Sequence, residues 1–219
     1  MKKCLLGILM LLGFSPFFGS ISAVHAQDFQ KPIVESLPEF QTKGKLTPTI
    51  QAIPLHVAAI HNFIFKNQSP VTSMDVMHSV YPNIQSSELA NMTAGFDDAL
   101  TYFKHQSIKF TKVNGIPDYH IIVNELRAKR PLLIQLRANA PYWLEPESAL
   151  LLYGIQVFPL PDGTANILYI CRSLNHIDQV TYSGGGERNF NLLANEKGQD
   201  PTIENITYSW VGTAYGFSK

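Results

Sequence analysis

Residues 119–171 read YHIIVNELRAKRPLLIQLRANAPYWLEPESALLLYGIQVFPLPDGTANILYIC, and this stretch decides the fold of the chain. Its first part has apolar residues at helical spacing, and that pattern ends at Arg130-Pro131. Three apolar runs of strand length follow, at 132–136, 148–155 and 166–171. A Pro-Asp-Gly-Thr turn at 161–164 joins the second run to the third. We therefore predict a helix and three strands, the last two forming a hairpin.

Apolar patterns on both sides of this stretch extend the prediction. Residues 55–65 follow a proline that suits a first helical turn, and they are apolar nearly all round, so we predict a largely buried helix. Ser69 or Ser73 is expected to cap a short helix over 74–80. Residues 208–217 alternate bulky and small side chains, a pattern typical of a strand that closes the domain.

The predicted order of helix, turn, strand, loop, long strand, turn and strand resembles the second half of the papain-like cysteine peptidases of bacteria. These include the double-glycine leader peptidases and their secreted relatives. In that family the long strand opens with a catalytic His, followed by Ala, apolar residues and Gly, and the next strand ends in the Asp that orients the His. Here Ser148 stands at the position of the His and Cys171 at that of the Asp. The resemblance implies an α+β, papain-like fold, with an N-terminal helical part packed on a C-terminal antiparallel sheet.

The family's domain opens with Gln-Cys-Gly-Pro before a buried helix, and this chain reads QAIP at residues 51–54. In the family the Cys attacks the substrate and the Gln supplies an oxyanion donor. Gln51 matches, but Ala52 replaces the nucleophile, and a methyl group cannot attack a carbonyl. The three catalytic positions, now Ala52, Ser148 and Cys171, are lost together. The resemblance therefore implies a relative without catalytic residues.

The N-terminus has the three parts of a cleaved, bacterial-type export signal: two lysines, an apolar run and a small-x-small site that ends at Ala26. We predict that residues 1–26 are removed and that the protein is periplasmic or secreted, with no membrane span after cleavage. Residues 27–49 contain several prolines and charges and are expected to form an extended arm, packed on the domain or partly disordered. The papain-like domain is expected to occupy residues 50–219.

Removal of this signal would change the charge and cysteine content of the chain. The whole chain has a net charge of 0, and the signal has two lysines and no acidic residue, so the mature chain would have a net charge of −2. That balance, without a basic run, argues against a nucleic-acid partner. Loss of Cys4 would leave Cys171 as the single cysteine, which excludes an internal disulfide.

Four residues are candidates for ligand binding at the predicted cleft, namely Gln51, Trp143, Ser148 and Tyr153. Large aromatic side chains beside a cleft are good anchors for a peptide, although the same residues are also common in cores.

Two histidines in the helix predicted at 55–65, His56 and His61, do not form a metal motif. They lie five positions apart and so point about 140° away from each other, whereas the zincin motif needs a spacing of four and an intervening Glu. We interpret both as core or boundary histidines and predict neither a metal nor a cofactor.

Three functions remain open from the sequence. The favoured one is an exported pseudo-peptidase that binds a peptide or protein through the relic active-site cleft. The second is an active cysteine hydrolase that uses Cys171, although an inert strand cysteine is the more common case. The third is a structural subunit of an envelope or secretion system.

Overall fold

The computed structural model describes residues 31–40, 52–138, 147–161, 165–172, 179–183, 189–190 and 208–219. The helices are α1 (Ala52–Ile64), α2 (Ser73–Val80), α3 (Ser86–Leu89), α4 (Phe96–His105) and α5 (Tyr119–Arg127). The strands are β1 (Ile33–Ser36), β2 (Lys109–Asn114), β3 (Leu132–Ala138), β4 (Glu147–Pro159), β5 (Ala165–Arg172), β6 (Gln179–Ser183), β7 (Asn189–Phe190) and β8 (Tyr208–Ser218). Most helices precede most strands, which confirms the predicted α+β class.

The strands form one antiparallel sheet in the order β2-β8-β3-β4-β5-β6. β1 pairs with β4, and β7 pairs with β8, outside this path. β3 pairs with one edge of β4 up to Leu152. β1 pairs with the remainder of the same edge, from Gly154 onwards. β5 pairs along the other edge. The last strand, which the sequence predicts to close the domain, lies inside the sheet between β2 and β3.

The elements predicted from residues 119–171 are present as α5, β3, β4 and β5. The hairpin of β4 and β5 is confirmed, with Leu152 opposite Cys171. β4 continues past the predicted end at Ile155 to Pro159, because its second half pairs with β1 as well as with β5.

The N-terminal cap of α2 differs from the prediction. The cap is Thr72, whose hydroxyl accepts a hydrogen bond from the Asp75 N–H at 3.2 Å, while the Asp75 carboxylate accepts from the Thr72 N–H at 2.7 Å. This reciprocal pair satisfies two N–H groups at the helix start. The choice of Ser69 or Ser73 was wrong because Asp75 lies three residues after Thr72, the spacing that a capping box requires.

One row of residues crosses five strands on a single face of the sheet. Residues that pair directly across antiparallel strands point to the same face. The register gives the row as Lys112, Ala214, Leu133, Leu151 and Arg172. Its three central members are fully buried. This face is therefore covered by other parts of the core.

The two ends of the row identify the helices that cover this face. Lys112 donates to the Asp97 carboxylate of α4 at 2.8 Å, and its Nζ lies 5.7 Å from the centre of the Phe96 ring. At the other end, the charge of Arg172 acts on His56 of α1. α1 also contacts β4 and β8, and α4 contacts β2 and β4. The helical part therefore packs on this face of the sheet.

Trp210 of β8 ties three parts of the sheet together. Its indole N–H donates to the Thr213 hydroxyl at 2.7 Å, and that hydroxyl donates to the Gly115 carbonyl at 2.8 Å. The indole packs edge-on against Tyr169 of β5, with ring centroids 5.2 Å apart. Buried Trp and Tyr rings contribute large apolar areas, and here the polar end of the indole is also satisfied.

Part of the predicted arm belongs to the fold. β1 pairs with β4, and the Leu37 N–H donates to the Tyr153 carbonyl at 2.8 Å. Leu37 and Phe40 are buried in the core. The Glu35 carboxylate accepts from Arg127 of α5 at 2.7 Å. Residues 31–40 thus pack on the domain, with 33–36 as a strand and 38–40 as a short 3-10 helix. The rest of the predicted arm and the signal at 1–26 lie outside the described residues.

Glu125 joins the end of α5 to β8. Its carboxylate accepts two hydrogen bonds from Arg130, at 2.7 and 2.8 Å, and one from the Gly216 N–H at 3.0 Å. Gly216 has a φ of +74°, in the left-handed region that glycine adopts without strain. The hydrogen bonds that Arg130 donates to Glu125 raise the pKa of Arg130. The largely buried carboxylate is therefore compensated by three donors.

Gly154 lets three strands approach closely, and this close approach predicts a stability effect. A Cβ at this position would lie 3.0 Å from the Ile170 Cβ and 3.3 Å from the Glu35 carbonyl oxygen. We expect Gly154→Ala to lower the free energy of unfolding in urea by about 1–3 kcal/mol, because the core must shift to admit the methyl group. The loss should shrink in an Ile170→Val background, since a Cβ at 154 would also lie 3.1 Å from the Ile170 Cδ1 that this change removes. Unchanged stability of Gly154→Ala would contradict the close packing.

Candidate functional site at the junction of α1 and the β4–β5 hairpin

Two of the three positions that the resemblance assigns to catalysis stand at the starts of elements that pack together. α1 begins at Ala52, and β4 begins at Glu147, so that Ser148 is its second residue. α1 contacts β4. Gln51 and Trp143, two of the predicted binding residues, lie outside the described residues.

Cys171, the third of these positions, is fully buried in β5. Burial raises the pKa of its thiol, because the thiolate would have to form without water. The register places Cys171 opposite Leu152, whereas Ser148 pairs with Leu136 on β3. Ser148 is four residues from Leu152 along β4. Four residues of extended strand span about 13 Å. Residues 148 and 171 are not cross-strand neighbours, so the register lends no support to pairing them as base and orienting group.

Tyr153, the fourth predicted binding residue, lies in the core. Its side chain is 4% exposed. It sits at an irregularity of β4, where the pairing with β5 passes from Leu152 directly to Gly154. A side chain so enclosed has little surface to present to a ligand.

His56 is the most unusual polar residue of this junction. It is fully buried, and among the described residues neither of its ring nitrogens has a hydrogen-bond partner. Burial, together with the nearby charge of Arg172, lowers the pKa of His56 to about 3. The ring is therefore neutral at pH 7. His56 lies one helical turn after Ala52, on the same face of α1.

His61, on the same helix, is buried but satisfied. Its Nδ1 lies 2.9 Å from the hydroxyl of Tyr102 on α4, and its ring stacks on Phe65 with centroids 4.5 Å apart. Burial lowers the pKa of His61 and raises the pKa of Tyr102 to about 12. The interpretation of His56 and His61 as core histidines is confirmed. Only His61, however, forms the bonds that buried polar groups normally have.

Sequence reasoning missed the proximity of His56 and Arg172. Arg172 belongs to no site predicted from the sequence. The hairpin could have located Arg172, because the turn predicted at 161–164 limits which residues of β4 and β5 can pair. The register places Arg172 opposite Leu151, on the face that α1 covers.

Two further observations bear on the kind of site. Within the described ranges, no three His, Cys, Asp or Glu side chains are grouped so that they could hold a metal ion. None of the helices described has both the length and the apolar character needed to cross a membrane.

No protein-family model matches the chain, and no curated protein matches it in sequence.

The burial of Cys171 predicts an inert thiol. In the folded protein at pH 8, we expect iodoacetamide to modify Cys171 at least about tenfold more slowly than in urea, because a buried thiol with a raised pKa supplies little thiolate. Peptide mass spectrometry locates the label at residue 171. Modification of folded and unfolded chains at equal rates would mean that the thiol is accessible.

His56 predicts a loss of stability in acid. Its pKa in the folded protein is far below the ordinary value, so the unfolded chain binds the proton more tightly. The free energy of unfolding should therefore be highest above about pH 6.5 and fall as the pH drops towards 3. Across that range we expect the free energy of unfolding to fall by roughly 3 to 5 kcal/mol more in the wild type than in His56→Phe.

Urea denaturation at a series of pH values measures this difference. Both proteins have the same carboxylates, so the contribution of carboxylate titration to the pH dependence of stability cancels in the comparison. His120→Gln, at an exposed histidine, is the control and should follow the wild type. Parallel stability curves for wild type and His56→Phe would show that His56 is not held neutral by burial.

Proposed function

We propose that this chain is an exported, non-catalytic relative of the papain-like cysteine peptidases. It binds a peptide or protein at the junction of α1 with the β4–β5 hairpin and does not cut it. The α+β architecture supports this proposal, since the helical part packs on one face of an antiparallel sheet. Export rests on residues 1–26, and it places the protein in the periplasm or outside the cell.

One observation carries the proposal. In the papain-like family the nucleophile stands at the start of a buried helix and the base at the start of a long strand. Here α1 begins at Ala52, and it packs on β4, whose second residue is Ser148. A resemblance recognised from two separated motifs thus agrees with the packing of the two elements that carry them.

The side chains available at this junction favour binding over turnover. Ala52 has no nucleophilic atom, and the buried thiol of Cys171 has a raised pKa, which argues against the alternative of a hydrolase that uses this residue. Removal of a nucleophile leaves only the weak catalysis that arises from oxyanion donors and binding. Gln51 would then supply a donor to a peptide carbonyl, and Trp143 an apolar anchor.

Restoring the lost groups tests the proposed geometry. A cysteine at the start of a buried helix has a lowered pKa, and a neighbouring imidazole lowers it further. We expect the double variant Ala52→Cys/Ser148→His to react with iodoacetamide at pH 6 at least about tenfold faster than Ala52→Cys alone. Ala52→Cys should in turn react faster than Ala59→Cys, a matched substitution at a half-buried position in the middle of α1.

Equal rates for the single and double variants would mean that positions 52 and 148 do not face each other, and the papain-like assignment would fail. The wild-type protein is tested in parallel on peptide libraries. Binding without cleavage, unchanged by alkylation, supports the proposed function. Cleavage that disappears in Cys171→Ser would overturn it.

A further inference from the structure

Four lysines lie at one end of the domain, each within two residues of a phenylalanine that packs there. They are Lys66, Lys104, Lys109 and Lys219, and we call them the lysine end. The ring centroid of Phe217 lies 4.7 Å from that of Phe103 and 6.4 Å from that of Phe110. The Nζ of Lys219 lies 4.3 Å from the ring centroid of Phe65. These contacts bring together the C-terminal ends of α1 and α4, the start of β2 and the end of β8.

The positive charges of the lysine end are exposed and, among the described residues, are not neutralised by a carboxylate. All four residues are exposed. The ion pairs that the structure describes join other residues, namely Lys112 to Asp97, Arg127 to Glu35 and Arg130 to Glu125. The contact of Lys219 with an aromatic ring leaves its charge in place. The lysine end is therefore a positive surface on a chain whose net charge is 0.

The composition of the lysine end favours a diffuse anionic surface as its partner. Lysine carries a point charge on a long flexible stem and lacks the planar fork with which arginine recognises one anion. Protein interfaces are poor in lysine and centre on aromatic or arginine anchors. The exposed large apolar side chains of the described residues, Val34 and Phe158, belong to β1 and β4 and not to the lysine end. A linear polyanion needs a continuous groove, whereas these lysines come from four separate segments.

We infer that the lysine end docks the protein on a membrane surface that contains anionic phospholipids. Headgroup phosphates move laterally in a bilayer and can gather beneath lysines that come from separate segments. Each lysine near such a surface strengthens binding about fivefold. The proposed peptide site, at the start of α1, lies about 20 Å away along this 13-residue helix. The inference therefore goes beyond the proposed function and does not depend on it.

Sedimentation with lipid vesicles tests this inference on the mature chain, which contains every residue that the structure describes. One set of vesicles contains equal parts of phosphatidylglycerol and phosphatidylcholine, and the other contains phosphatidylcholine alone. At about 0.1 M salt we expect at least about tenfold tighter binding to the anionic set, because its surface potential attracts the lysines. At about 1 M salt the Debye length falls to about 3 Å, and the difference should disappear.

Variants that remove charge locate the contact. Lys109→Gln should weaken binding to the anionic vesicles about fivefold, and Lys104→Gln/Lys109→Gln roughly 20-fold. Lys104→Arg/Lys109→Arg keeps both charges and should bind like the wild type. Arg137→Gln is the control, since it also removes one exposed charge.

The control lies at the other end of the sheet. Lys109 is opposite Ser218 of β8. Arg137 is opposite Ser209, nine residues earlier in the same strand and therefore about 30 Å away. This distance exceeds the Debye length, so Arg137→Gln should change binding less than about twofold.

Lys66 separates binding from folding. It follows α1 with a φ of 52°, in the left-handed region that glycine adopts without strain. Lys66→Gly should therefore not lower the free energy of unfolding in urea, yet it should weaken binding to the anionic vesicles about fivefold. Loss of binding without loss of stability is not expected of a lysine that serves the fold alone.

Three results would overturn the inference. One is equal binding to both vesicle sets at about 0.1 M salt. Another is an equal loss of binding in Arg137→Gln and Lys109→Gln, which would place the contact elsewhere. The third is binding of dextran sulfate, a soluble polyanion, without binding to either vesicle set. Peptide binding is measured separately, so none of these results bears on the proposed function.

Discussion

β4 is paired along both of its edges and covered on both of its faces, and the rest of the structure depends on this enclosure. β3 and β1 share one edge and β5 takes the other, while residues 149–155 are buried without a break. Every backbone donor and acceptor in such a strand must find its partner in a neighbouring strand. Residues 33–36 of the arm are therefore part of the sheet, and Gly154 is needed where three strands meet most closely.

The same enclosure creates the polar features of the candidate site. Because α1 packs on β4, a histidine in the first half of α1 is taken wholly out of water, and the charge of Arg172 on β5 helps to lower its pKa. His56 and His61 differ in what the fold offers them: Tyr102 provides a partner for one, and none of the described residues does so for the other.

The proposed relationship to the papain-like peptidases separates the fold from the chemistry. Under that proposal, α1, β4 and β5 hold the three catalytic positions, and Ala52, Ser148 and Cys171 there supply a methyl group, a hydroxyl and a buried thiol. Such replacement costs the fold little. Ala is the best helix former, and a buried Cys behaves as a small apolar residue. If the proposal holds, the architecture is retained although the reaction is lost.

The sequence by itself determined the local elements. Apolar spacing located α1, α5 and the strands of the hairpin, and a turn at 161–164 joined β4 to β5, because helical and strand periodicity are properties of short stretches. It did not determine that the last strand lies between β2 and β3, that Tyr153 is enclosed, or that the charge of Arg172 acts on the pKa of His56. Those facts arise from pairing between segments far apart in the chain. The register and burial of each segment depend on all its neighbours at once, and no local pattern encodes them.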